Sequence, residues 1–190
     1  MVGHAQTPRD FGLPGPTLVF DLETQRLAEE VGGWKNVAHM GLACAVTLDL
    51  ATGEFARYGE PDAARLADDL RAASLVIGFN IRRFDFTVLQ PYTAHRLAEV
   101  PALDILQHIE NALGFRLPLD ALARGTLGEA KSADGSQAVR WYREGRMEEL
   151  YDYCQQDVQV TRGLYEYGRR DKHLKYFDRF GRLKRVAVRW

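Results

Sequence analysis

Apolar and polar positions alternate along the chain in two rhythms, and the change of rhythm divides it. Thr17–Phe20 is a short apolar run and predicts a buried strand. "NVAHMGLACAVTLDL" predicts a second, long strand region. "ATG" predicts a turn, and "EFARYGE" a third strand returning from it. "PDAARLADDLRAA" switches period: Pro61 suits a first helical turn, and Ala64, Leu66, Ala67 and Leu70 recur at helical spacing. "SLVIGFN" reads as a buried strand whose Gly78 permits close backbone approach. "RFDFTVLQPY" turns helical and is interrupted by Pro91. "ALDILQHI" reads as a strand-to-helix junction. From Leu117 onward the spacing is mostly helical, with a polar, Gly-containing loop in "TLGEAKSADGSQ" and Gly145 separating two helices as a C-cap. The last piece, "LKYFDRFGRLKRVAVRW", predicts a hairpin turning at Gly181, with Val186 and Val188 on the returning strand. Three strands, then alternating helices and strands, then a helical half argue for one α/β domain with a mixed sheet.

Length and composition fit that picture. The chain has 190 residues, 46% hydrophobic and 27% charged, which suits one sizeable core. Residues 1–16 are rich in Gly and Pro and lack an apolar signal-like stretch, so they read as a flexible lead-in to a single domain over 17–190. No apolar run is long enough to span a bilayer. Cys44 and Cys154 lack C-x-x-C spacing and read as free buried thiols of a cytoplasmic protein. The five histidines show no zinc-ligand spacing, and no phosphate-binding glycine loop is present. The net charge of −1 hides an asymmetry: of 25 basic and 26 acidic residues, nine and two fall within 169–190, leaving 16 and 24 elsewhere. A basic C-terminal segment on an acidic body permits contact with a polyanion, and a solvated terminus would look the same by charge.

Three stretches carry candidate chemistry. In "TLVFDLETQ", Asp21 and Glu23 stand two apart on a strand and so share a face. Two ionised carboxylates that close repel unless a cation or proton intervenes, although a lone D-x-E is also an ordinary polar strand end. In "GFNIRRFDF", Asn80 ends a strand and Asp85 falls in the first turn of a helix, where capping and ligand binding both favour an acid. In "LYDYCQQDVQVT", Tyr153 and Asp157 are i and i+4 on one helix face; core packing of the Tyr beside an exposed Asp is the alternative. Asp104, after the apolar pair in "ALDIL", is a rival third acid, but no Asn-x-x-x-Phe precedes it.

Together, V-F-D-L-E-T, N-I-R-R-F-D and Y-C-Q-Q-D resemble the three exonuclease motifs of the DEDD superfamily, the DnaQ-like 3′→5′ exonucleases with an RNase H-like fold. The third motif is similar to that of the Tyr-containing branch, DEDDy. The resemblance runs from about Thr17 to Tyr167 and extends to the helix-loop segment of stand-alone bacterial members. It implies a central sheet of about five strands, one of them antiparallel, flanked by helices. It implies Asp21, Glu23, Asp85 and Asp157 as metal-binding carboxylates, with two Mg²⁺ or Mn²⁺ ions about 3.5–4 Å apart. Tyr153 would orient the attacking water, and 5′-mononucleotides would leave one at a time. For substrate contacts it implies the first-motif backbone at Leu22 and Thr24, together with Asn80 and Phe84. Leu22 is then either a wedge against the terminal base or a core residue. Arg82 and Arg83 are phosphate candidates or solvated charges, and Lys131 is a further phosphate candidate. Trp34, Trp141 and Tyr142 could stack on bases or anchor the core. The expected partner is single-stranded nucleic acid, DNA or RNA, with a helicase or polymerase complex and a role in DNA repair possible. A structure-specific RNase H-like endonuclease and a non-catalytic nucleic-acid-binding module of a repair or helicase complex are the competing readings.

Overall fold

The computed structural model describes residues 15–128 and 135–190. Its centre is a five-stranded sheet of β1 (Thr17–Thr24), β2 (Leu42–Asp49), β3 (Phe55–Gly59), β4 (Leu75–Gly78) and β5 (Ala102–Asp104). The spatial order is β3-β2-β1-β4-β5. β1 pairs with β4, and β4 with β5, in parallel, while β2 is antiparallel to both neighbours. One strand thus runs against the other four. The expected mixed sheet with one antiparallel strand and flanking helices is the one found, consistent with an RNase H-like fold.

Side chains of β1 alternate between two cores, as strand geometry requires. Leu18, Phe20 and Leu22 face a cluster completed by α1 (Ala63–Ala72) and α2 (Asp85–Leu89), through Leu66, Leu70, Phe86 and Val88. Val19 faces the opposite cluster, built from α3 (Ile105–Leu113), α4 (Leu119–Thr126), α5 (Gly135–Arg143) and the long α6 (Met147–Asp171). β2 is buried over Leu42–Leu48, so it reads as a continuous apolar run rather than an alternating one.

Several details differ from the pattern-based expectation. The second strand is shorter than its apolar stretch: Trp34–His39 forms 3-10 turns, with left-handed Gly32 and Gly33 before it and Gly41 after it. Pro91 interrupts the helix as expected: α2 ends at Leu89, and Gln90–Tyr92 is a 3-10 turn. Pro16, counted with the lead-in, is tied down, since its carbonyl accepts from the Ser74 amide at 2.9 Å. Lys131 lies outside the described residues.

The C-terminal segment forms a separate hairpin, β6 (His173–Phe177) and β7 (Leu183–Ala187), turning at left-handed Gly181. It is docked on α4. Thr126 Oγ1 donates to the Lys175 carbonyl at 2.9 Å and accepts from the Lys175 amide at 2.8 Å. A Cβ on Gly125 would stand 2.5 Å from that carbonyl, so the close approach requires glycine there. Among the described residues no helix is long and apolar enough to cross a membrane.

Candidate metal centre

β1 projects beyond β4. Their pairing covers only Thr17–Val19 against Leu75–Ile77, so from Phe20 onward that edge of β1 has no strand partner. On its other edge the ladder with β2 shifts register between Glu23 and Thr24; such bulges bend a strand and re-aim its side chains. Asp21 and Glu23 therefore stand on the overhanging end, half-buried, on the face that looks toward α6.

α6 brings the third acid. Asp157 is 8% exposed, and one carboxylate oxygen each from Asp21, Glu23 and Asp157 lie within 4.8 Å of one another. The donor set is all oxygen and formally trianionic, which suits a hard divalent cation. Tyr153, one helical turn before Asp157, is 5% exposed, with its ring edge-on to Trp141 at 5.8 Å. Cys154 is a neighbour that spacing alone did not single out, though it lies three residues before Asp157 on the same helix. Its thiol donates to the Asp21 carbonyl at 3.4 Å and to Asp21 Oδ2 at 3.6 Å. Burial first, then Cys44 and the Asp21 and Glu23 charges, push the Cys154 thiol well above its ordinary value, so it stays a donor.

Asp85 reaches the overhang from the other core and stands outside the group of three. Its Oδ1 accepts from the Leu22 amide at 3.2 Å, filling the place where a parallel strand would have bonded. The side chain is thus hung on the backbone between Asp21 and Glu23. Burial pushes its carboxyl up to about 8, with the charge of Asp104 adding to the rise.

Asp104 is not a member of this group but holds the loop that leads into Asp85. Its carboxylate accepts from the amides of Asn80 at 2.9 Å, Arg82 at 3.1 Å and Gln107 at 3.2 Å. One acid thereby caps α3 and fixes the turn between β4 and α2, where Asn80 adopts φ +69°. Asn tolerates that left-handed geometry better than most residues.

A groove of about 430 Å³ is lined by Trp34, Val37, Asn80, Arg83, Phe84 and Arg116, and Phe84 directly precedes Asp85 in the chain. Trp34 is 71% exposed and its ring lies 6.3 Å from that of Phe84. Arg116 donates to Asn80 Oδ1 at 2.9 Å. It had no motif signal, because its partner is 36 residues away. The expected substrate residues divide accordingly. Asn80 and Phe84 line the groove. Arg82 does not: its guanidinium donates to the Ala102 carbonyl at 2.8 Å, and its neighbour Arg83 takes the groove position. Leu22 is buried in the first core, and Thr24 is buried with its hydroxyl donating to the Arg26 carbonyl at 3.0 Å.

Comparison with known proteins agrees with this architecture. No curated protein matches the chain at a significant level. The family model of the RNase H superfamily matches residues 18–169, a span that runs from the second residue of β1 to near the end of α6 and takes in Asp21, Glu23, Asp85 and Asp157. This chain belongs to the RNase H superfamily.

Proposed function

We propose that the protein is a metal-dependent 3′→5′ exonuclease of the Tyr-containing DEDD type, removing 5′-mononucleotides from nucleic-acid 3′ ends. Superfamily membership supports nucleic-acid hydrolysis in general. The observation that carries the finer reading is the arrival of Asp157 beside Asp21 and Glu23 from a distant helix, with Tyr153 on that helix one turn away. Ionised carboxylates this close repel one another unless a cation or proton intervenes, which supports a metal role.

Asp21, Glu23 and Asp157 would hold Mg²⁺ or Mn²⁺, and Asp85 would add its carboxylate on giving up its proton. A bound divalent ion supplies an activated water and charge stabilisation at phosphorus. The chain's own groups do the rest. Asn80 and Phe84 hold the terminal nucleotide in the groove, and Arg83 and Arg116 offer cationic N–H groups to its phosphates. Tyr153 aims its hydroxyl at the attacking water, an orienting task that needs no strong base.

Digesting single-stranded and 3′-recessed oligonucleotides with Mg²⁺ or Mn²⁺, and resolving the products at single-nucleotide steps, tests the reading. Stepwise mononucleotide release is expected, and internal cuts would mark an endonuclease instead. Tyr153→Phe is expected to lower the rate roughly ten- to a hundredfold, the usual cost of a misplaced reactant. Mn²⁺ affinity, read by calorimetry, should stay as in the parent. An unchanged rate removes Tyr153 from the chemistry.

A further inference from the structure

The large apolar side chains left exposed among the described residues are Trp34, Phe115, Phe177, Phe180 and Leu183. Scattered exposed apolar residues are ordinary, but a contiguous series is not. They are linked in series by a shared lining, a ring contact, strand pairing and chain neighbours. Trp34 and Phe84 form one groove wall, and Arg116 forms another part of it. Phe115, next in the chain to Arg116, sets its ring edge-on to Tyr176 of β6 at 6.2 Å. Phe177 follows, with the Arg124 guanidinium 5.9 Å from its ring. At the hairpin tip, Phe180 is 65% exposed with the guanidinium groups of Arg179 and Arg182 at 4.8 and 5.0 Å.

We infer that this path, from the groove across Phe115 to the β6–β7 hairpin tip, is a track for the single-stranded nucleic acid upstream of the 3′ end. Three observations converge on that occupant. Guanidinium groups lie against the exposed rings of Phe177 and Phe180, a pairing of residue types that can stack bases and neutralise phosphates without reading sequence. The segment 169–190 has a net charge of +7 against −8 for the rest of the chain, so a polyanion is drawn to the hairpin and repelled by most of the body. The track is also anchored. The mutual Thr126–Lys175 hydrogen bonds fix the hairpin on α4, and Asp178 Oδ1 accepts from the amides of Phe180 and Arg182 to hold the tip. Glu110 pairs with Arg83 and Arg116, and Asp178 with Arg182; these exposed pairs are weak enough for phosphates to compete. The direction of the track, with the 3′ end in the groove, rests on the exonuclease reading; the binding surface itself does not.

The test separates the two. Binding of fluorescein-labelled oligo-dT and oligo-U is measured by anisotropy in EDTA, where no hydrolysis occurs. Phe115→Ala and Phe180→Ala should each weaken binding of the long oligonucleotide about tenfold, with unchanged circular dichroism. Arg179→Gln with Arg182→Gln should flatten the salt dependence by roughly one to two ion equivalents. Parent-like affinity and salt slope in all these variants would overturn the track and leave the surface to another partner, such as a protein. If instead the variants lose binding while the parent protein, given Mg²⁺, digests nothing, the track stands and the exonuclease reading fails.

Discussion

Asp157→Asn is expected to reduce metal-dependent digestion of a 3′-labelled oligonucleotide by about a thousandfold or more. The three clustered acids of the apo site repel one another, and a divalent ion relieves that repulsion while stabilising the transition state by several kcal/mol. Removing one formal charge weakens both effects, and each ~1.4 kcal/mol lost is a factor of ten in rate. Asn preserves the size and the buried position of Asp157, so the fold should survive, and the variant should melt at or above the parent's temperature without metal. Asp21→Asn should behave the same way, because its oxygen belongs to the same cluster. Rapid single-nucleotide ladders from either purified variant would show that the acid cluster is not the reacting centre.

Asp85→Asn is expected to stabilise the metal-free protein in a pH-dependent way. Burial raises the Asp85 carboxyl to about 8 in the folded chain, whereas an unfolded Asp titrates near 3.9. Below about pH 4 both states hold the proton and the variant gains nothing from the change. Between about pH 4 and pH 8 the unfolded chain has released its proton and the folded chain retains it. Stability is therefore lost steadily as pH rises through that window, and the loss levels off above it. An Asn side chain carries no such proton and keeps an oxygen that can accept from the Leu22 amide. Its advantage should grow to a few kcal/mol near pH 7.5, or roughly 5–10 °C in melting temperature for a chain of this size. In the parent, Mg²⁺ or Mn²⁺ should recover the lost stability, more strongly toward pH 8, and the Asp85→Asn variant should show a smaller recovery. Melting curves across pH, with and without the ion, check both parts; curves of parent and variant that run parallel at all pH values would rule out a protonated buried acid.

Local pattern and tertiary arrangement contributed unequally to what could be read in advance. The strands and helices follow from apolar spacing, and so does Gly181 as the hairpin turn, because those signals are local. The short span of β2 was hidden because its apolar run continues back into 3-10 turns, and burial alone does not distinguish the two. Asp21, Glu23 and Asp157 were legible as a group only through motif order; their proximity depends on α6 packing across β1. Asp85 was expected in the same cluster, yet it binds the strand edge from the opposite core, a consequence of β4 ending early that no spacing rule conveys. Asp104, weighed as a rival acid, proved to tie three backbone amides, a role set by chain turns that become visible only in three dimensions. Arg82 and Arg83 are adjacent and chemically alike in sequence; their opposite fates are decided by the direction in which each leaves the loop.

The central sheet separates two cores, and the overhang of β1 is where an acid from each side meets the same strand. Asp157 is carried by the layer of α6 and Asp85 by the layer of α1 and α2, and Asp85 bonds the β1 backbone between Asp21 and Glu23. On the proposed mechanism, catalytic competence is a logical conjunction: both layers must be seated at once. Local opening of either one, which requires less free energy than global unfolding, would silence the chemistry while most of the molecule stayed folded. Heat or mild denaturant should accordingly extinguish turnover before it erases the helical signal, and the enzyme would serve as its own sensor of partial disassembly.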